Sequence, residues 1–322
     1  STRDWSSDVC SSDLNTKNYK DALKALDNIK EKTTRSKTAY QKVAYYRGIE
    51  LFNDGYLDNA IAMFEKAIVN DIDQNLKALA IYWKAEALYK QNKFEAAVKQ
   101  YRIFVFNPAS VNTDFYDLAN YNLGYAYFKN TNYSDAATWF RKYLDKKGTI
   151  SKSTYDDCLV RTGDCYYVTR QFETALPYYQ QAIDNQAAST DYALYQKGIL
   201  QGLLGDVDGK TATMNTLLTQ YPKSKFKADG LFEKGKAQLS LGNSNEAKKL
   251  FSDLLAEFPN SIYAKKAQLN IGLIYFNNNE DDEALNVFKK VVGNYPGSPE
   301  AAEALATIKS IYVSNEIGRA HV

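Results

Sequence analysis

The chain has 322 residues, a hydrophobic fraction of 45% and a formal net charge of +2 at pH 7. This balance supplies a packed core but gives no case for a nucleic-acid or anionic-membrane partner. No apolar run approaches the length of about 18 residues that a transmembrane helix needs. Only six prolines, among many Ala, Leu, Lys and Tyr residues, favour an all-α fold.

The two ends do not match the sequence between them. The reverse complement of one coding sequence for residues 316–322 (EIGRAHV) encodes residues 8–14 (DVCSSDL), as two strands of one sequencing-library adapter would. Residues 1–14 and 316–322 are therefore predicted to be adapter-derived, and residues 15–315 to be a segment cut at both ends. Without the two basic and four acidic residues of these ends, the net charge changes from +2 to +4.

An internal repeat fills the segment between the ends. A small residue recurs every 35 to 39 positions, at Gly48, Ala85, Gly124, Gly163, Gly198, Gly235 and Gly272. Twelve residues later comes a second small residue, at Ala60, Ala97, Ala136, Ala175, Ala247 and Ala284, with Lys210 as the exception. Four residues further on lies a large one, at Phe64, Tyr101, Phe140, Tyr179, Met214, Phe251 and Phe288.

Each unit predicts a helix A, a short turn and a helix B. Apolar residues recur at helical spacing on both sides of turns rich in Gly, Asn and Asp, which tolerate positive φ. A glycine inside a helix costs about 1 kcal/mol, so close approach of the partner helix is expected at Gly124 and Gly272. Pro177 lies in a helix B that we expect to begin late or to bend.

Three junctions carry an aromatic-Pro-x-Ser motif, at 221–224, 258–261 and 295–298. The proline ends one helix, and the serine is expected to cap the next. Residues 18–29 predict a lone helix B, and residues 298–313 a lone helix A.

The repeat resembles the tetratricopeptide repeat, and the junction motif is similar to that of bacterial cell-envelope members, such as outer-membrane assembly lipoproteins and Tol-associated cell-division coordinators. The resemblance implies an all-α, right-handed superhelical solenoid of stacked helix-turn-helix units over residues 15–315. Half repeats are expected at each end of seven full repeats near 41–74, 78–111, 117–150, 156–189, 191–224, 228–261 and 265–298.

The sequence gives no catalytic, cofactor or metal site. The sole histidine, His321, lies in an adapter-derived end, and Cys158 and Cys165 stand seven apart, which on a helix is roughly 10 Å, too far for a disulfide. No phosphate-binding glycine loop occurs. We therefore predict that the chain is not an enzyme and binds no cofactor.

The resemblance also implies a binding face, because the fifth, ninth and twelfth positions of helix A line the concave side in this family. These positions hold the candidate groove residues Tyr45, Phe52, Tyr82, Tyr89, Tyr121, Tyr125, Phe128, Tyr167 and Tyr195. A tyrosine-rich groove suits a peptide or a helix with apolar anchors, although aromatic side chains at these positions also serve as packing residues. The Lys and Asn pair with which some members clamp a terminal carboxylate is missing.

These features predict a protein-protein interaction scaffold, with the cell envelope or periplasm favoured as its location and proteins or peptides as its partners. The alternatives are a substrate-recruiting or regulatory array of a larger enzyme, and an architectural spacer. Self-association through the uncapped solenoid ends is expected as well.

Overall fold

The computed structural model describes residues 18–31, 33–146 and 151–320, with side chains up to residue 314. The chain divides into two compact units, Ser1–Arg170 (the first unit) and Gln171–Val322 (the second unit). The predicted adapter residues 1–14 lie outside the described part of the chain. The backbone of the other predicted adapter end is helical as far as Ala320.

The described part of the first unit is helical, and each helix packs on the next one along the chain. Its helices are α1 (Tyr19–Asp27), α2 (Thr34–Asn53), α3 (Leu57–Val69), α4 (Gln74–Lys90), α5 (Phe94–Val105), α6 (Tyr116–Lys129), α7 (Tyr133–Leu144) and α8 (Lys152–Val168), with a 3-10 turn at Pro108–Asn112.

The described part of the second unit follows the same plan, so the fold is all-α as predicted. Its helices are α9 (Phe172–Asp184), α10 (Thr190–Leu203), α11 (Val207–Gln220), α12 (Lys227–Ser240), α13 (Ser244–Glu257), α14 (Ala264–Asn277), α15 (Asp281–Asn294) and α16 (Pro299–Ala320). The predicted lone helices at 18–29 and 298–313 correspond to α1 and α16.

The recurring small residues make room for the recurring large ones. A Cβ atom placed on Gly124 would lie 2.6 Å from the ring of Phe140, and one on Gly272 would lie 2.5 Å from the ring of Phe288. Both rings are fully buried. The same relation pairs Gly48 with Phe64, Gly198 with Met214 and Gly235 with Phe251. The predicted close approach of the two helices of each unit is therefore confirmed at these glycines.

The turns between helices A and B share one geometry. One residue in each has positive φ, namely Gly55, Asn92, Thr131, Arg170, Gly205, Gly242 and Asn279. The amide of the following residue donates a hydrogen bond to the carbonyl oxygen five residues earlier, near the end of helix A. Examples are Tyr56 N to Leu51 O at 2.8 Å and Asn243 N to Gln238 O at 2.8 Å. This is the Schellman ending, for which glycine and asparagine are favoured.

Two local predictions were wrong in part. The helix containing Pro177 does not begin late, because α9 starts at Phe172, and the buried Ala175 and Tyr179 on either side of the proline hold it in place. The prolines of the three junctions do follow the ends of α11, α13 and α15.

The serine of the junction motif caps a helix at only one of the three sites. The hydroxyl of Ser298 accepts a hydrogen bond from the Ala301 amide at 3.1 Å, at the start of α16. Ser224 and Ser261 lie three residues before their helices and instead accept from the amides of Phe226 and Tyr263. The aromatic residue between serine and helix takes the cap position there.

Candidate functional site

The nine predicted groove residues do not share one environment. Tyr45, Phe52 and Tyr82 are buried, with at most 8% of each exposed. The other six are half-buried: Tyr89, Tyr121, Tyr125, Phe128, Tyr167 and Tyr195. The predicted groove therefore remains a prediction, and the half-buried rings are the ones able to meet a ligand.

Some rings at the fifth position of helix A are occupied in packing. Tyr82 stacks on Phe115, with ring centres 4.6 Å apart, and Tyr195 stacks on Phe226 at 5.2 Å. Phe115 and Phe226 immediately precede the next helix A, α6 and α12. These pairs join successive repeats within a unit, so these two fifth-position rings are engaged in packing.

A cavity of about 240 Å³ in the first unit gathers three of the predicted tyrosines. Tyr89 comes from α4, and Tyr121 and Tyr125 come from α6, one turn apart on one face. The remaining lining residues are Glu86, Tyr101 and Asn122. The site is thus built by the A helices of two successive repeats, with one buried tyrosine from the intervening α5.

The hydroxyl groups of Tyr121 and Tyr125 are held by the next helix A, α8. Both donate hydrogen bonds to Asp157 Oδ2, from Tyr121 at 2.8 Å. Arg161 Nε donates to the Tyr125 hydroxyl at 3.1 Å and lies 3.4 Å from the other oxygen of Asp157. Burial, with the negative charge of Asp157, raises the pKa of both tyrosines. The rings therefore stay neutral and fixed in position.

Glu86 carries the charge of this cavity. Its Oε1 accepts hydrogen bonds from the Tyr101 hydroxyl at 2.6 Å and from Asn122 Nδ2, which also donates to the Tyr82 hydroxyl at 3.0 Å. Burial raises the pKa of the Glu86 carboxyl, and its hydrogen bonds and Lys90 only partly oppose this. Within the described residues, no basic side chain lies within 4.0 Å of it.

A second cavity, of about 680 Å³, lies wholly in the second unit. Its apolar lining includes Phe232, Leu239, Leu269 and Leu273, which occupy the same fifth, ninth and twelfth positions. Its charged lining consists of Lys210, Lys236, Lys266, Glu300 and Glu303. The same repeat positions therefore form an aliphatic and lysine-bearing surface here.

Lys210, the exception in the repeat pattern, is explained by Gly202. A Cβ atom on Gly202 would lie 2.9 Å from Cδ of Lys210, so the lysine stem occupies the space that a large twelfth residue takes in other repeats. The ammonium group reaches Glu233 of α12 at 2.5 Å, and both side chains are nearly buried. The repeat thus has a small residue at position 202 and a large one at position 210, and the contact between the two helices stays filled.

Comparison with known families decides the classification. Tetratricopeptide repeat models match residues 45–112 and 82–149, and a second tetratricopeptide model matches residues 157–189 and 192–224. Together these matches cover more than half of the chain. The chain belongs to the tetratricopeptide repeat family. Residues 227–307 also match the model of the outer membrane lipoprotein YfiO, so the chain resembles bacterial envelope members of the family.

Solved structures share the tetratricopeptide fold at low sequence identity. The C-terminal part of a repeat protein from Cytophaga hutchinsonii is 16% identical with a TM-score of 0.64, over 81% of this chain and 99% of that one. The apo form of RapI is 14% identical with a TM-score of 0.58, over 96% and 97%. YrrB, a tetratricopeptide repeat protein described as having an unusual peptide-binding site, is 22% identical with a TM-score of 0.51, over 64% and 97%. The chain has no significant match among curated proteins.

Tetratricopeptide repeats act as non-catalytic scaffolds for protein interactions, and this is the function that the family assigns at a coarse level. Over the described residues, the structure has no cluster of three or more His, Cys, Asp or Glu residues suited to a metal ion. None of the helices described is both long and apolar enough to cross a bilayer. Cys158 and Cys165 are buried free thiols, and burial raises the pKa of Cys165 to about 12.

Sequence reasoning placed Glu86 on the concave face without choosing it as a groove residue, and it missed Tyr101 and Asn122 as members of the tyrosine cavity. Glu86 stands at a ninth position and Tyr101 at the large position of helix B, so both were visible in the repeat pattern. The distinguishing signal is the acidic residue itself at a position that holds Ile49 or Tyr125 in the neighbouring repeats.

Proposed function

We propose that this tetratricopeptide repeat chain is a scaffold of the bacterial cell envelope that holds a peptide or helix of its partner at the tyrosine cavity of the first unit. The observation that carries the proposal is the cavity lined by Tyr89, Tyr121 and Tyr125 from two successive A helices. Tyrosine rings supply large contact area at low entropic cost. Because Asp157 fixes the hydroxyls of two of them, the surface is preorganised for binding.

The rings around this cavity favour a peptide over a second folded surface. The opening is bordered by half-buried side chains of α4 and α6, and its volume of about 240 Å³ suits one anchoring side chain. YrrB, which is described as having a peptide-binding site, is a fold relative and supports this choice. The match of residues 227–307 to an outer membrane lipoprotein supports the envelope location.

Selection from a random peptide library displayed on phage tests the binding function. Peptides enriched on the intact chain are synthesised, and their affinities are measured by fluorescence polarisation for the parent and for Tyr89→Leu. Loss of the ring is expected to weaken binding at least tenfold, which is about 1.4 kcal/mol. Tyr56→Leu is the matched control, because Tyr56 is 63% exposed at the start of α3 and outside the cavity.

Two outcomes would contradict the binding site. One is that no peptide is enriched on the intact chain. The other is that a Tyr89→Leu variant with the helical circular dichroism of the parent binds as tightly as the Tyr56→Leu control.

The envelope location has a separate test. Cells of the source organism are fractionated, and each fraction is probed with an antibody raised against this chain. We expect the protein in the envelope fraction. Recovery in the cytosol alone would remove the envelope from the proposal and leave the binding function standing.

A further inference from the structure

The tyrosine cavity surrounds a carboxylate that forms no ion pair within the described part of the chain. Glu86 lies among Tyr89, Tyr101, Tyr121 and Tyr125, and no basic side chain of the described residues is within 4.0 Å of it. The nearby Lys90 lies instead over the ring of Phe52, with Nζ 4.2 Å from the ring centre. A charged group in such a position is costly unless an opposite charge meets it.

The neighbouring carboxylate shows the contrast. Asp157 accepts hydrogen bonds from two tyrosines and also lies 3.4 Å from Arg161 Nε, which balances its charge. Among the described residues the donors to Glu86 are neutral: Tyr101 and Asn122 both bind Oε1, and the Tyr82 hydroxyl donates as well. These hydrogen bonds leave the negative charge of Glu86 without an ion pair to a basic side chain of the described residues.

We propose that this cavity binds an alkylammonium group, and we assign that group to a lysine side chain of the bound peptide. The inference rests on the proposed peptide-binding function and names the anchor that the site takes. The ammonium group pairs with Glu86, and the four methylene groups lie between the tyrosine rings.

Each part of the cavity suits this ligand. Tyrosine rings attract a cation that lies within about 6 Å of their centres, and four rings surround the carboxylate. A volume of about 240 Å³ holds the equivalent of about eight water molecules, which exceeds the space that a lysine side chain needs. Burial raises the pKa of Glu86, and an ammonium partner would favour the ionised form.

The cavity of the second unit has a different charge balance and serves as an internal reference. Three lysines, at positions 210, 236 and 266, take part in its lining together with two glutamates, Glu300 and Glu303. Because its lysines outnumber its carboxylates, it is a less favourable site for a cation than the cavity of the first unit, whose lining has Glu86 and no basic residue. Binding of a simple cation should be confined to residues of α4 and α6.

The test uses n-butylammonium as the probe and 1-butanol as its neutral counterpart. The intact chain is labelled with ¹³C in its tyrosine rings, and the signals of Tyr89, Tyr121 and Tyr125 are assigned from single Tyr→Phe variants. We expect butylammonium to shift these three signals in a saturable manner and to bind at least tenfold more tightly than butanol. Equal affinities for the two probes, or no shift of these signals up to high millimolar concentrations, would overturn the inference.

Glu86→Gln removes the charge and keeps an oxygen that accepts from Tyr101. Its affinity for butylammonium is expected to fall at least tenfold, with an unchanged circular dichroism spectrum. Glu95→Gln is the matched control, since Glu95 is an exposed residue of the first turn of α5. Should Glu86→Gln lose its fold, Tyr89→Leu supplies the second test through loss of one ring. Parent-like cation binding by a folded variant of either kind would contradict the inference.

Peptides separate this inference from the function on which it rests. Replacing each lysine of a selected peptide by norleucine should weaken binding at least tenfold on the parent and much less on Glu86→Gln. The norleucine peptides could bind the parent as tightly as the lysine peptides do and still lose affinity in Tyr89→Leu. In that case the scaffold function stands and the lysine anchor is wrong. If butylammonium binds but no peptide is selected, the cavity takes free amines, and the assignment to a peptide lysine is wrong.

Discussion

The two units place different chemistry on equivalent positions of one repeat. The ninth position is Glu86 in the first unit and Lys236 in the second, and the twelfth position is Tyr89 in one and Leu239 in the other. The first unit has a tyrosine cavity with an acidic centre, whereas the second has a larger cavity whose lining is largely aliphatic and carries three lysines and two glutamates. The helical frame therefore does not determine the chemistry of these surface positions.

The frame itself is common to both units. Glycine of helix A meets a buried ring of helix B at Gly124 and Phe140 in the first unit and at Gly272 and Phe288 in the second. In both units, the turn between the two helices has a residue with positive φ at the same position of the repeat. These positions are fixed by packing, while the ninth and twelfth positions differ between the two units.

The largest effect is expected from filling the glycine contacts in both units. Gly124→Ala and Gly272→Ala each place a Cβ atom within 2.6 Å of a buried ring that has no free space. Overpacking of this kind costs about 1–3 kcal/mol, to be measured by urea unfolding followed by circular dichroism. Gly293→Ala is the control, since its Cβ would meet nothing within 4 Å, and the gain in helix propensity is about 1 kcal/mol or less. If only one of the two substitutions lowered the free energy of unfolding, the two units would not share this packing.

The next effect concerns the lysine that distinguishes the second unit. Lys210→Ala leaves Glu233 with Lys236 alone, at 3.5 Å, and is expected to cost about 2 kcal/mol. Adding Glu233→Gln should recover part of this loss, because the unpaired charge is then removed. Strict additivity of the two changes in unfolding free energy would contradict the coupling.

A smaller effect is expected at the turns. Thr131 has φ of 60° where Gly242 has 79°, and a β-branched residue is strained in this region. Thr131→Gly should stabilise the chain by about 1 kcal/mol, and Gly242→Thr should destabilise it by a similar amount. Thermal unfolding of the two variants checks the opposite signs, and a shift of the same sign in both would count against a common turn.

The smallest change in stability is expected from Glu86→Gln, and its sign depends on pH. Burial raises the pKa of Glu86 in the folded chain, so the folded state holds a proton more firmly than the unfolded state. Stability from this group is present below the unfolded pKa and is lost as pH rises through the folded pKa. Glutamine avoids that loss. At a pH above the raised pKa of Glu86, the variant should have a higher melting temperature than the parent, and this difference should vanish in acid.

The groups around Glu86 support this sign. Tyr82, Tyr89 and Lys90 share its helix, Tyr101 lies on α5, and Tyr121 and Tyr125 lie on α6. Burial raises the pKa of these tyrosines, so they are neutral in this range. A melting temperature that falls on substitution at neutral pH would mean that the carboxylate is stabilising without a ligand.

The sequence predicted the frame because its determinants repeat. A small residue is followed by a second small residue twelve positions later and by a large one sixteen positions later, with Gly or Asn in the turn between the two small ones. This pattern specifies two close helices and a left-handed turn. The cavity was predicted only in part, since Tyr82 and Tyr195 are covered by Phe115 and Phe226. Those two rings belong to the connections before α6 and α12, outside the small and large positions by which the repeat was recognised. The role of Lys210 also depended on a compensating residue, Gly202, eight positions away.

The central claim is that the partner peptide binds in the tyrosine cavity of the first unit. A selected peptide that carries a photoreactive benzophenone is cross-linked to the unmodified chain, and the attachment sites are located by mass spectrometry. The account predicts cross-links within α4 and α6, between Gln74 and Lys129, that excess unlabelled peptide suppresses. Suppressible cross-links to the lysine-lined cavity, from Gly202 to Glu303, would contradict it.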